Sequence, residues 1–224
     1  MRGIFVTGTD TGVGKTVVAA AICATLAARG ERVVAFKPVV TGLDEEPSAD
    51  WPADHELLAA AAGGGQAVAE VTPYTFGSPV SPHFASELEG HEIDPGRVRA
   101  AAGAAAAGAD ALVCEGVGGL LVPITLGYSV RDLAVELGLP VLVVARTGLG
   151  TINHSLLTVE AARAAGLSVA GVVMSPWPVR PEPIEQSNRE TIETLGGVSV
   201  SCLSATSPAE LATAGQTLPI DDWL

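Results

Sequence analysis

The chain has 224 residues, of which 48% are apolar and 17% charged, with a net charge of −13. That length and apolarity suit a packed globular protein and exclude a disordered one. Its 12 basic residues are scattered, so no cationic cluster is present to grip a phosphate backbone, which excludes a nucleic-acid partner. The strongest apolar run, LGLPVLVVA (137–145), has the length of a strand and falls short of the ~20 residues that span a bilayer.

In chain order, GIFVTG (3–8) reads as a buried strand and TVVAAAICATLAARG (16–30) as a helix stopped by glycine. RVVAFKP (32–38) is expected to be a second strand, adjacent to the first. Helices follow over 94–107, 129–138, 152–165 and 183–195. The runs ALVCEG (111–116), PVLVVA (140–145) and LSVAGVVM (167–174) do not alternate, as befits strands covered on both faces. VSVSCL (198–203) reads as one more strand. The acidic segment 41–55 contains Pro47 and Pro52, and PYTFGSPVSPHF (73–84), with three prolines, is not expected to be regular helix. Alternating strands and helices are the mark of βαβ units around a parallel sheet. The expectation is one α/β domain, residues 1–224. MRGIFVTG at the N-terminus resembles no signal peptide. Cys23, Cys114 and Cys202 form no C-x-x-C, so neither disulfides nor zinc are expected, and a cytoplasmic location fits.

The first strand opens into GTDTGVGKT (8–16), which ends as a phosphate-binding loop does but is one residue longer than G-x-x-x-x-G-K-[ST]. A glycine-rich turn entering a helix aims backbone N–H groups and the positive helix end at a phosphate. Lys15 would reach the β- and γ-phosphates and the Thr16 hydroxyl a magnesium ion. Partition and septum-positioning ATPases carry a second lysine five positions before the loop lysine. Here that residue is Asp10, which argues against that branch. Glu115 ends a buried strand before GVGG (116–119), where such proteins hold magnesium or its water; the other reading is a plain strand terminus. Lys37, ending its strand before Pro38, is either a surface lysine or part of the site. Asp54, in ADHELL (53–58), is either a site carboxylate or a helix N-cap. His83 and His154 are read as structural.

Taken together, GTDTGVGKT, FKPVVTG (36–42), PYTF…SPH (73–83), EGVGGLLVP (115–123) and GTINHSLLT (150–158) resemble the dethiobiotin synthetases over roughly residues 1–174. The resemblance implies a P-loop NTPase-like three-layer sandwich with a mostly parallel central sheet flanked by helices. It implies an ATP- and Mg²⁺-dependent ligase of biotin biosynthesis that closes 7,8-diaminononanoate and CO₂ (or bicarbonate) into a cyclic urea, through a carbamate and a carbamic–phosphoric anhydride. By the same resemblance Lys37, Lys15 and Thr11 are catalytic. Gly12, Val13, Gly14, Lys15, Thr16, Val17, Asp54, Glu115, Gly116, Gly118, Ser175 and Pro176 would meet the nucleotide, and Thr16, Asp54 and Glu115 the metal. Thr11, Lys37, Thr41 and Gly119 would hold the substrate, joined by Gly150, Thr151 and Asn153 across the interface of a homodimer.

Two departures bear on base recognition. Where the family commonly has A-N-D at the end of a late strand, this chain has VVMSP with Ser175 and Pro176, and its G-E-I-P-like turn is replaced by VSCLSA (200–205). A serine hydroxyl cannot make the two-point amide contact that an adenine edge invites, so base selectivity weaker than the family's is expected. A regulatory P-loop ATPase would want the missing second lysine or a membrane-targeting tail. An amidotransferase-type synthetase acting on cobalamin precursors would want a glutaminase cysteine that this chain lacks.

Overall fold

The computed structural model describes residues 2–46, 50–63 and 65–224; Pro47 lies outside them. The apolar run at the start forms β1 (Arg2–Gly8), and the glycine loop leads into α1 (Lys15–Ala28). Then come β2 (Val33–Phe36), α2 (Asp54–Ala61), the single turn α3 (Val68–Val71), α4 (Pro82–Glu89) and α5 (Pro95–Ala106). After these, β3 (Ala111–Gly119) precedes a small hairpin, β4 (Pro123–Thr125) and β5 (Tyr128–Ser129). The chain continues through α6 (Val130–Leu137), β6 (Val141–Ala145), α7 (Thr151–Ala164), β7 (Val169–Trp177) and α8 (Pro183–Gly196). It ends in β8 (Val200–Ser204), α9 (Leu211–Gly215) and α10 (Ile220–Trp223).

Six strands form one parallel sheet in the order β2-β3-β1-β6-β7-β8. Its strands lack polar alternation because both faces are covered. Ile4 and Val6 enter one core with α1, α2, α9 and α10, while Phe5 enters the other with α5, α6, α7 and α8. Val113 and Leu112 divide in the same way, as do Leu142 and Val143. The result is the expected helix–sheet–helix sandwich. None of the helices among the described residues is long and apolar enough to cross a membrane. Cys23 and Cys114 are buried free thiols, one in each core.

The sheet order corrects one expectation: β2 does not neighbour β1, because β3 lies between them. Lys37 therefore lies beside Glu115's strand rather than beside the loop's. A second correction concerns PYTFGSPVSPHF, whose last three residues open α4. Pro82 is the first helical residue, where its missing N–H is no loss. Of the two readings open for Asp54, the structure removes the cap. The N-cap of α2 is Ala53, and the Asp54 carboxylate turns to Lys37 instead.

Candidate active site

The loop between β1 and α1 needs glycine at one decisive point. Gly14 stands at φ 89°, and a Cβ there would sit 3.3 Å from the Ser175 hydroxyl at the end of β7. Small residues at both positions let the loop close down on β7, and α1 begins at once with Lys15 and Thr16. The Lys15 ammonium is buried and donates to the Asp10 carbonyl at 2.9 Å, so the lysine folds back along its own loop.

Beside the loop, β3 carries Glu115 into the interior with no solvent exposure. One of its oxygens, Oε1, accepts from Thr16 Oγ1 at 2.9 Å and from Lys37 Nζ at 2.8 Å. Lys37 also bonds the Asp54 carboxylate. Four residues from four segments of the chain thus meet at the carboxyl ends of β1, β2 and β3, where ligands of open parallel sheets bind. Burial by itself would lower the Lys37 pKa, but Glu115 and Asp54 more than offset it and hold the ammonium above its ordinary range. Burial lowers Lys15 and raises Glu115, the latter only partly countered by Lys37. Asp54 is drawn down by Lys37 against the opposing effect of burial.

A cavity of about 660 Å³ opens over this cluster. Thr11, Gly12, Gly14, Lys15, Thr16, Val17, Lys37, Thr41, Asp54, Glu115 and Gly118 all line it. Other expected site residues lie outside this lining. The Val13 side chain is buried in the core, Gly116 is buried within β3, and Ser175 stands behind Gly14 with Pro176 exposed beyond it. Gly119 lines a second cavity of about 410 Å³ on the other side of the loop, formed with Thr11, Leu121 and Leu157. Gly150, Thr151 and Asn153 start α7 on that flank. The Thr151 hydroxyl donates to the Arg146 carbonyl at 2.6 Å, while Asn153 is exposed. Trp51, Leu57 and Ser81, which no sequence motif marks as site residues, also line the main cavity. Trp51 and Ser81 stand on separate loops that only folding brings together, and Leu57 reads as one more core leucine of α2.

The residues present fit a magnesium ion. Glu115 Oε2 is buried without a hydrogen-bond partner, and Asp54 and the Thr16 hydroxyl stand beside it. Among the described residues no group of three or more His, Cys, Asp and Glu side chains could hold a metal ion. A sparse donor set of this kind suits magnesium, which keeps its waters and takes phosphate oxygens as ligands.

Comparison with known proteins agrees with this geometry. A family model described as an AAA domain matches residues 2–204. An ATP-dependent dethiobiotin synthetase of Anaeromyxobacter dehalogenans is 48% identical over 87% of this chain and 86% of its own length. That of Aromatoleum aromaticum is 40% identical over 95% and 96%, and that of Bacillus subtilis 36% identical over 89% and 85%. Among solved structures, a ParA family ATPase of Chlorobium tepidum superposes with a TM-score of 0.57 at 15% identity, covering 96% of this chain and 90% of its own. The cell division ATPase MinD of Pyrococcus furiosus gives 0.56 at 18% identity over 98% and 89%. These two show the shared P-loop fold alone. The sequence relatives show more: the chain belongs to the ATP-dependent dethiobiotin synthetase family.

Proposed function

We infer that this protein is an ATP-dependent dethiobiotin synthetase, a ligase forming carbon–nitrogen bonds in biotin biosynthesis. The observation that carries the reading is the Lys37–Glu115–Thr16–Asp54 cluster beside the Lys15 loop, all within one cavity. The reaction joins 7,8-diaminononanoate, CO₂ and ATP into dethiobiotin, ADP and phosphate. One amine takes up CO₂ as a carbamate, and a carbamate oxygen attacks the γ-phosphate to give a mixed anhydride. The second amine then closes the ring and expels phosphate.

The residues serve these steps in distinct ways. An alkyl amine of ordinary basicity (pKa ~10.4) is almost wholly protonated near neutrality, and the lysines beside it favour the neutral, nucleophilic form by repulsion. Lys37, kept protonated by two carboxylates, acts as a cation and not as a base. With Lys15 it stabilises the carbamate anion and the charge on the transferred phosphoryl group. Thr11 and Thr41 offer hydroxyls to the diamine or carbamate end. Gly12, Gly14 and the backbone around Val13 and Val17 form the phosphate cradle. Bound magnesium would supply neutralisation of phosphate charge, and Thr16, Asp54 and Glu115 would hold it.

Dimerisation is part of the proposal. Leu121, Leu149 and Leu157 are 59%, 87% and 57% exposed, around the start of α7 and the smaller cavity beside it. A second copy covering this side would bring Gly150, Thr151 and above all Asn153 to the substrate carboxylate of its partner. Sedimentation at micromolar concentration should give a dimer; a monomer would contradict this part.

The activity is tested by incubating the protein with Mg·ATP, ¹³C-bicarbonate and 7,8-diaminononanoate. The expected product is dethiobiotin carrying one heavy carbon. ATP hydrolysis without labelled product would contradict the reading and favour a regulatory ATPase.

A further inference from the structure

The ring-forming chemistry releases protons, and most polar groups near the cluster cannot take them. Lys15 and Lys37 are donors, while Asp54 and Glu115 pair with Lys37 and are the carboxylates that would hold magnesium. Ser81 is different. It lines the same cavity from the loop before α4, on the side of Thr41, Pro79 and Val80. That loop is pinned to the segment beyond β2 by Phe76 N–H donating to the Val40 carbonyl at 2.8 Å and Val40 N–H donating to that of Tyr74 at 3.0 Å.

Ser81 is the N-cap of α4, a position where a serine side chain ordinarily accepts from the first turn. Its carbonyl receives the helix's Phe84 and Ala85 N–H groups at 3.0 and 2.9 Å, but its hydroxyl caps nothing. The hydroxyl lies 3.0 Å from His83 Nδ1 instead. His83 does not line the cavity and is partly exposed, so the pair runs from the cavity wall toward solvent.

We propose that Ser81, hydrogen-bonded to His83, receives the proton released by the substrate amine as its nitrogen bonds to carbon; this rests on the dethiobiotin synthetase reading. As the N–C bond forms, the amine N–H proton passes to Ser81 Oγ, and the Ser81 hydroxyl proton passes to the lone pair of His83 Nδ1. Serine is restored at once; the imidazolium loses its Nε2 proton to water, and solvent exchange, with uptake at Nε2 and loss at Nδ1, returns the partly exposed histidine to its starting tautomer before the next turnover. At ring closure the bond that breaks is the one between carbon and the phosphoryl-bearing oxygen, and phosphate departs with its electron pair. Ser81 is thus a catalytic residue and His83 a positioning residue acting through it. Glu45 also reaches the cavity but is exposed on its own turn, where its N–H donates to the Gly42 carbonyl at 3.2 Å, and it is assigned no part.

The test compares wild type, Ser81→Ala, His83→Ala and Glu45→Gln for dethiobiotin formation, after circular dichroism and Mg·ATP binding have been checked. Ser81→Ala should lower kcat by about a hundredfold with little change in the KM for ATP. His83→Ala should fall less and recover when imidazole is added, whereas Ser81→Ala should not respond. If Ser81→Ala proves misfolded, the imidazole response of His83→Ala decides alone. An active wild type whose Ser81→Ala and His83→Ala variants stay within about threefold of it would overturn the relay. So would a large loss confined to Glu45→Gln, or a His83→Ala loss that imidazole leaves unchanged. A wild type that makes no dethiobiotin would overturn the functional reading itself.

Discussion

Helix α1 has two unlike flanks. On the side of α2 its first turn meets a buried ionic cluster, where Thr16 and Lys37 share one oxygen of a fully buried glutamate. On the side of α9 the contact is close and mostly apolar, with Gly215 against Thr25 and Ala21, and Trp223 sealing the end of the core. The first flank carries buried charge at an energetic cost. The second carries little charge and holds the loop helix against the sheet. A buried ionic cluster and an apolar clamp are thus separated across one helix, and substitutions on the two sides should fail in different ways.

The largest difference should come from Lys37→Met. Breaking a buried pair by removing one partner typically costs about 3–5 kcal/mol. Glu115, whose carboxyl burial already holds above its ordinary range, would lose its main counter-charge and rise further. A carboxyl with a raised folded-state pKa keeps its proton longer folded than unfolded, so stability falls as pH climbs above the unfolded value. Urea melts should therefore show a greater loss at pH 8 than at pH 5; a pH-independent loss would contradict the pairing.

On the opposite flank, Gly215→Ala should act through packing alone. A Cβ there would lie 2.2 Å from Thr25 Oγ1 and 2.4 Å from the Ala21 carbonyl oxygen. The expected cost is about 1–3 kcal/mol, read as a lower Tm with no pH dependence between 5 and 8. A neutral substitution would show that α9 gives way easily and that the clamp is weaker than its geometry suggests.

Nucleotide choice sharpens the comparison with a smaller effect. Ser175 backs Gly14 where relatives of this family commonly offer an asparagine, and one lost amide contact is worth about tenfold or less. GTP, CTP and UTP should each support turnover within roughly that factor of ATP. Strong, exclusive use of ATP would show that other groups read the base. The smallest effect belongs to the clamp's outer edge. Arg29 and Asp221 pair at 2.8 Å but are 39% and 70% exposed, so Asp221→Asn should change stability by less than about 1 kcal/mol. A larger change would mean that α10 depends on charge.

The ionic flank was far more legible in the sequence than the apolar one. Lys15 and Thr16 follow from local order, since strand, glycine turn and helix appear in sequence. The β3 run marks Glu115 because a charge ends four buried residues. Lys37 could be placed near the site, but not beside β3, because strand order depends on crossover paths that no single element encodes. For Asp54 the sequence leaves a cap and a site carboxylate both open, because helix starts favour aspartate; only the folded chain shows it turned to Lys37. Ser81 carries no sequence signal of a site role, because its proline-rich loop has no periodicity and joins the cavity through the Val40–Phe76 pairing, and a lone His83 beside it reads as structural. The α9–α10 clamp rests on glycine at one close approach, which a lone Gly215 in sequence does not announce.

The central claim is that Lys37 carries the ligase chemistry of this cavity. It is tested most directly by measuring phosphate release from Mg·ATP and bicarbonate, with and without 7,8-diaminononanoate, in wild type and in Lys37→Ala. The account predicts release that depends on the diamine and that the substitution abolishes while ATP still binds. Release that ignores the diamine, or that survives in Lys37→Ala, would contradict it.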